Sequence, residues 1–438
     1  MSRVVIVGGG IAGLVRGLVL RRRGEDARVL EATDRPGGAM WTESTEGFLL
    51  ELGPNTIRPS PELWRLVREL GLEQEVRFAD PRLPRFVEYR GRLHALAPGP
   101  AFLATSLLSA RGKARLFAEP FVRRAGDPRE TVHEFFSRRL GPEVAERLAA
   151  PFVSGIWAGD ATSLSASEAF PTLARWERDH GSLLRGALAS RRGRHANEPA
   201  PPRGLLSFRG GIETLPRTLS ERLGEALTRN ARARSLSRVG GSWRVETEAG
   251  VFEAERVVIA TGAPDAARLL RRLDAEAADA LASVPAPPLA VAHLAFPKKA
   301  FPAPLRGFGH LVVPAADRRV LGAVWSSALF PDRAPADEEL LTAFLGGSRD
   351  PAAAALSDEE ILEAAGSELA SSLGARVRPR LLRVTRHAAA IPQYDLGHAA
   401  RKAAFDRAEA RLPGLMLLGN YRDGISVPDV VRNALETG

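Results

Sequence analysis

The chain is 438 residues long, 45% hydrophobic and 26% charged, the make-up of a soluble globular protein with about three domains' worth of residues. It carries 61 Lys and Arg against 52 Asp and Glu, a formal net charge of +9. That balance favours an acidic partner without choosing among nucleic acid, anionic lipid and a polyacidic substrate. No cysteine is present, which excludes disulfides, cysteine-ligated zinc, iron–sulfur clusters and a cofactor held through a thioether.

Residues 3–7 read as a strand, 8–13 as a glycine turn, the stretch to about Arg23 as a helix, and 27–31 as a second strand, a βαβ opening. Arg21, Arg22 and Arg23 fall in the helix's last turn, where the negative end of its dipole suits them, and Gly24 ends it. The apolar run over 4–20 is not expected to be a signal peptide or a membrane span. Glycines interrupt it, its charges follow rather than precede it, and no small-residue cleavage site comes after. No other run approaches the roughly 18 apolar residues of a spanning helix. The expected location is cytoplasmic, at most peripheral on the cytoplasmic face of a membrane.

Residues 61–72 read as an amphipathic helix, with Leu63, Leu66, Val67 and Leu70 on one stripe and Gly71 as its stop. From 98 to 185 the pattern is helical and strand-poor, with leucine and phenylalanine interleaved with arginine, and 190–204 reads as an exposed linker. Strands are expected at 243–247, at 252–260 and within 289–325; residues 337–374 are expected to be helical.

The turn Gly8-Gly9-Gly10-Ile11-Ala12-Gly13 matches G-x-G-x-x-G between a strand and a helix. Gly8 permits the tight turn, Gly10 lets backbone approach a pyrophosphate, and Gly13 lets the helix pack on the strand. The helix N-terminus then offers free N–H groups to phosphate. Glu31, at the end of the next strand, supplies a carboxylate for a ribose diol, which favours FAD or NAD over NADP. Arg35-Pro36-Gly37-Gly38 and Glu51-Leu52-Gly53-Pro54-Asn55 add backbone drawn close to a ligand and move the reading from nicotinamide to flavin. Farther along lie Arg209-Gly210-Gly211, the buried strand Val257-Val258-Ile259-Ala260 ending at Gly262, and Gly419-Asn420 followed by Gly424-Ile425-Ser426-Val427-Pro428-Asp429. Pro428 suits a first helical turn capped by Ser426 or Val427, and that helix end would stabilise negative charge on a reduced flavin.

Together these pieces resemble the flavin-containing amine oxidase superfamily. Within it, Gly53-Pro54-Asn55-Thr56-Ile57-Arg58-Pro59, Pro151-Phe152-Val153-Ser154-Gly155-Ile156-Trp157-Ala158-Gly159-Asp160, Gly307-Phe308-Gly309-His310-Leu311-Val312, Phe344-Leu345-Gly346-Gly347 and Ile391-Pro392-Gln393-Tyr394 resemble the protoporphyrinogen oxidase family. The resemblance implies an α/β fold: a Rossmann-like FAD-binding domain (1–75, 205–284 and 386–438), a mixed-sheet substrate domain (76–97 and 285–385) and an inserted helical, membrane-associated domain (98–204).

It implies noncovalent FAD contacted at Gly8, Gly9, Gly10, Ile11, Ala12, Gly13, Glu31, Ala32, Arg35, Gly38, Ala39, Gly53, Pro54, Asn55, Thr56, Ala233, Asn420, Ile425, Ser426 and Val427, with Ala233 matched across a small gap. The substrate pocket would lie under the flavin, lined by Phe86, Phe308, Gly309, Leu311, Leu321, Val324 and Phe344, with Gly155 near its wall and Arg85 on a substrate propionate. His310 reads as a structural histidine rather than a base.

The implied chemistry is hydride transfer from a porphyrinogen to the flavin, with O2 as final acceptor and no side chain required as acid or base. A porphyrinogen substrate, O2, an anionic membrane surface and a second copy of the chain are the expected partners; nucleic acid is not. Three rivals stand beside this reading. Coproporphyrinogen III, with four propionates, would want more cations than Arg85. An amine oxidase or carotenoid desaturase is the second; amine oxidases commonly use paired aromatic residues before the flavin, and no such pair is evident. A GDI-like binding protein would lack flavin, against the sequence at 424–429.

Overall fold

The computed structural model describes residues 2–96, 104–124, 129–192, 201–315 and 317–436. Much of the expected linker, 193–200, lies outside the described residues, as does the boundary near 97.

Two seven-stranded sheets organise the chain. In the first, the nucleotide sheet, Ser2–Val7 lies parallel to Ala27–Leu30 on one side and to the end of Gly250–Ile259 on the other. Leu415–Leu417 adds parallel beside Val257, Val258 and Ile259, and Leu227–Thr228 extends the opposite edge. The antiparallel strands Ala233–Val239 and Ser242–Thr247 complete it. Val5, Ile6, Val257 and Ile259 are fully buried, because helices cover both faces of these parallel strands. Ile11–Arg22 and Val427–Glu436 pack on one face, Ala263–Leu270 and Ala275–Ala282 on the other.

The second, or platform, sheet runs in the order Arg380–His387, Leu289–Pro297, Glu338–Gly346, Val320–Trp325, Gly309–Val312, Arg85–Tyr89 and Arg92–Leu96. All neighbours are antiparallel except Gly309–Val312 with Arg85–Tyr89. One expectation is corrected here. Residues 338–346, read as helical, form a strand, and the helix is confined to Asp358–Leu373 with its Ser357/Glu360 capping box. The run Leu340-Leu341-Thr342-Ala343 is buried on both faces, so it shows neither helical periodicity nor strand alternation.

The expected helix at 61–72 appears as Pro61–Glu69, capped by Ser60, with Leu63, Leu66 and Val67 buried and Gly71 at a φ of +75° beyond its end. The helical section comprises Ala110–Phe117, Val132–Leu140, Ala150–Trp157, Pro171–His180 and Leu183–Arg192 among its longer elements. A buried ion pair, Arg139 with Glu119, holds it together, and Ser182 and Leu183 also donate to Glu119. Its outer surface exposes Phe117, Phe121, Leu184 and Leu188. Among the described residues no helix is long and apolar enough to cross a membrane.

Candidate active site

The glycine turn is built by close backbone contact. Gly8 sits at a φ of +113°, and a Cβ there would stand 2.6 Å from the Ala260 carbonyl oxygen. A Cβ on Gly13 would stand 1.9 Å from the Gly8 carbonyl oxygen, so helix and turn touch only because both are glycine. Gly10 is different: nothing lies within 4 Å of its Cβ position. It caps the helix Ile11–Arg22 without a side-chain bond, and no acidic residue occupies the first turn. The first N–H groups therefore face a gap with no side chain to satisfy them, the arrangement an anion fills.

Glu31 closes one side. One of its oxygens accepts from Gly9 N–H at 2.9 Å and the other from Thr33 N–H at 2.9 Å and Thr33 Oγ1 at 2.9 Å. With about four acceptor sites on a carboxylate, room for a ribose hydroxyl remains. Ala32 follows directly, and Ala233 begins its strand two residues after Ala231, whose N–H donates to the Glu31 carbonyl at 2.8 Å. The next segment returns to the turn: Gly37 N–H donates to the Gly9 carbonyl at 2.8 Å, and a Cβ on Gly38 would stand 3.3 Å from Gly10 Cα. Arg35 donates to the Gly38 carbonyl at 2.8 Å and lies over the Trp41 ring. Gly53 then stacks on Ala39, where a Cβ would come within 1.9 Å of the Ala39 carbonyl oxygen, and Asn55 donates to the Gly53 carbonyl at 3.1 Å. Pro54 and Thr56 complete that strip. Beside it opens a cleft of about 700 Å³ lined by Thr33, Arg35, Trp41 and Arg217 among others.

The closing segment reaches the same place from the far end of the chain. Val427 packs with Ile11 against the core containing Ala12, and Ser426 Oγ accepts from Asp429 N–H at 3.3 Å as the helix cap. Sequence reasoning missed how this loop is held. Tyr394, buried, donates to the Asn420 carbonyl at 2.6 Å and accepts from Gly424 N–H at 2.8 Å. Its ring stacks on His398 and meets Trp157 edge-on, and Ile425 packs nearby. Only the position of Tyr394 in the quoted Ile391-Pro392-Gln393-Tyr394 stretch hinted at this.

Register decides which platform residues share a face. Arg85, Val87, Gly309, Leu311, Gly322, Val324 and Phe344 are aligned across four strands by the pairings Gly309 with Arg85, Gly309 with Val324, Leu311 with Gly322 and Gly322 with Phe344. A register shift between Val320 and Gly322 adds one residue and brings Leu321 against Phe344 on this face. The helix Ala150–Trp157 crosses it at Gly155, where a Cβ would stand 2.2 Å from Leu311 Cδ2. Phe308 packs with Val324 and Leu83, and the Arg85 guanidinium lies 5.3 Å over the Phe308 ring.

Phe86 does not join them. As the next residue on its strand it points to the opposite side of the sheet, stacking on Trp325 at 5.2 Å. His310 shares that opposite side, where its Nδ1 accepts from Trp325 Nε1 at 3.2 Å, and burial pushes its pKa down to about 4. It is a structural imidazole, turned away from the face that carries Arg85.

The sequence family described as flavin containing amine oxidoreductase matches residues 11–438, and the chain belongs to it. Its cofactor is noncovalent FAD, which the cradle suits and the lack of cysteine leaves without a thioether link. The chain is 35% identical over 464 residues to the chloroplastic protoporphyrinogen oxidase of Oryza sativa, covering 99% of this chain and 87% of the relative. Against the protoporphyrinogen oxidase of Bos taurus it is 34% identical, covering 98% and 96%. A crystal structure of a protein from Exiguobacterium sp. 255-15, provisionally assigned as protoporphyrinogen oxidase, superposes with a TM-score of 0.83 at 26% identity, covering 99% and 97%. The chain is thus closely related to protoporphyrinogen oxidases along nearly its whole length.

Proposed function

We propose that this protein oxidises protoporphyrinogen IX to protoporphyrin IX, with FAD as cofactor and O2 as final acceptor, in porphyrin and heme biosynthesis. The observation that carries the reading is the platform face. Leu311, Val324 and Phe344 share one face of the sheet with Arg85, Leu321 packs beside Phe344, and the helix bearing Gly155 crosses that face at Leu311. A tetrapyrrole is a broad apolar ring with carboxylates on its rim, and this surface has that distribution of properties. Gly8, Gly10, Gly13, Glu31, Gly53 and the 420–427 loop would hold the nucleotide and flavin; when bound, FAD supplies the acceptor for hydrogen removed from carbon. The protein's task is placement. Its apolar face orients the ring and excludes water, and Arg85 fixes which edge faces out. No proton transfer falls to His310, which lies on the other side of the sheet.

The division into FAD-binding, substrate and helical units is part of this proposal. So is a resting place on anionic membrane for the surface carrying Phe117, Phe121, Leu184 and Leu188. Absence of cosedimentation with anionic vesicles at low salt would remove the membrane contact. The main test is anaerobic mixing of the flavin-loaded protein with protoporphyrinogen IX. Bleaching of the visible flavin bands is expected, with peroxide released on admitting air; a spectrum that stays oxidised overturns the assignment.

A further inference from the structure

The rim beside Arg85 carries a second cation that the reading above leaves unused. Ile57 N–H donates to the Leu206 carbonyl at 2.9 Å, and Leu206 N–H returns a bond to Ile57 at 2.8 Å. The neighbouring Leu205 carbonyl accepts from Ala79 N–H at 2.8 Å. Ala79, Leu83 and Phe308 pack in one cluster, and Phe308 N–H donates to the Pro84 carbonyl at 2.9 Å. These contacts stitch residue 57, the segment 79–84 and Phe308 into one wall. Arg58 leaves that wall directly after Ile57, and Arg85 leaves it directly after Pro84, lying over Phe308.

Both arginines are exposed, and neither has a carboxylate partner among the described residues. The acid available on this wall, Asp80, is already held by Arg82, through its backbone N–H and side chain at 2.9 Å each. The guanidinium of Arg85 is partly shielded from solvent where it lies over Phe308, which lowers its proton affinity, and the positive charge of Arg58 lowers it further. Two like charges set side by side without a counter-ion are stabilised together by an anion placed between or across them. A single carboxylate would need only one of them.

We propose that Arg58 and Arg85 form a clamp for two neighbouring carboxylates on one edge of the ring system bound at the platform face. The proposal rests on the porphyrinogen reading and narrows its substrate class to macrocycles that bear a pair of adjacent propionates. It also makes Arg58 a specificity-determining residue, since loss of one carboxylate of the pair would leave a guanidinium unmatched.

The test is equilibrium binding to the flavin-loaded protein of protoporphyrin IX and of its dimethyl ester, followed by porphyrin fluorescence, in wild type, Arg58→Gln, Arg85→Gln and the double variant. Each single variant is expected to raise Kd for the diacid about fivefold, with the thermal midpoint unchanged because both side chains are exposed. Neither should alter ester binding, and the two effects should not add when combined, because the clamp acts as a unit. With protoporphyrinogen IX, Arg58→Gln should raise KM and leave kcat near wild type. Unchanged diacid affinity in Arg58→Gln, or equal losses for diacid and ester, overturns the clamp while leaving the porphyrinogen reading intact. A wild-type protein that binds neither ring and whose flavin protoporphyrinogen does not bleach overturns both.

Discussion

The glycine cradle and the platform face are built in opposite ways. The cradle works through backbone. Gly8, Gly13 and Gly53 each sit where a Cβ would collide with a carbonyl group, and the open space at Gly10 is what that crowding leaves free. The platform face works through side chains drawn from residues 85, 311, 321, 324 and 344, assembled by register across four strands. A ligand read by backbone tolerates few changes in the protein but asks little of side-chain identity. One read by side chains can be retuned residue by residue. Under the proposed function, the cradle would hold the cofactor and the platform would select the substrate.

The largest effect expected is in the cradle. Gly13→Ala places a methyl group against the Gly8 carbonyl oxygen, a backbone atom that cannot move without breaking the turn. We expect loss of roughly 3 kcal/mol or more, read as at least a hundredfold weaker FAD binding or a protein that no longer retains its yellow colour. A variant with wild-type FAD affinity would mean the turn is softer than its geometry implies.

Next comes a pair of neighbours that should separate the two faces of the platform. Phe86→Ala removes a ring stacked on Trp325 beside the core and should cost about 3 kcal/mol in chemical unfolding, with little change in KM. Arg85→Ala should do the reverse, raising KM about fivefold at unaltered stability. If both substitutions moved the same readout, the division of the sheet into a structural and a recognising face would fail.

A further effect is in pH dependence. Burial pushes the pKa of His293 and of His310 down to about 4, below the ordinary value of 6.5. The unfolded chain then binds more protons than the folded one between those limits. Stability is complete above about pH 6.5 and declines as pH falls toward 4, by about 1–3 kcal/mol for each imidazole. His310→Gln should flatten that decline in urea titrations at pH 5 and 7, and an unchanged slope would show that His310 titrates normally.

These differences also explain what could be read from sequence. The glycine turn, Glu31 and the stripe of Leu63, Leu66 and Val67 are local patterns whose spacing is dictated by one turn of backbone, and all appear where expected. The strand Glu338–Gly346 was hidden because burial on both faces erased its alternation. Arg85 and Phe86 were grouped together because a family motif places both near the ligand, whereas strand geometry sends adjacent side chains to opposite sides. The Tyr394 contacts and the bulge that turns Leu321 join residues distant in sequence, and no spacing rule encodes them.

The nucleotide sheet has a further consequence, for how the protein is made. Its strand Leu415–Leu417 lies beside Gly250–Ile259, which in turn lies beside Ser2–Val7. At about 5–20 residues per second, the ribosome needs roughly 8–30 s between completing Gly250–Ile259 and completing Leu415–Leu417. Throughout that interval one edge of Val257-Val258-Ile259 awaits its partner, inviting strand pairing between nascent chains. Pairing between strands so far apart in sequence is intrinsically slow, and the turn at Gly8–Gly13 meets the 420–427 loop only once the end of the chain has been made.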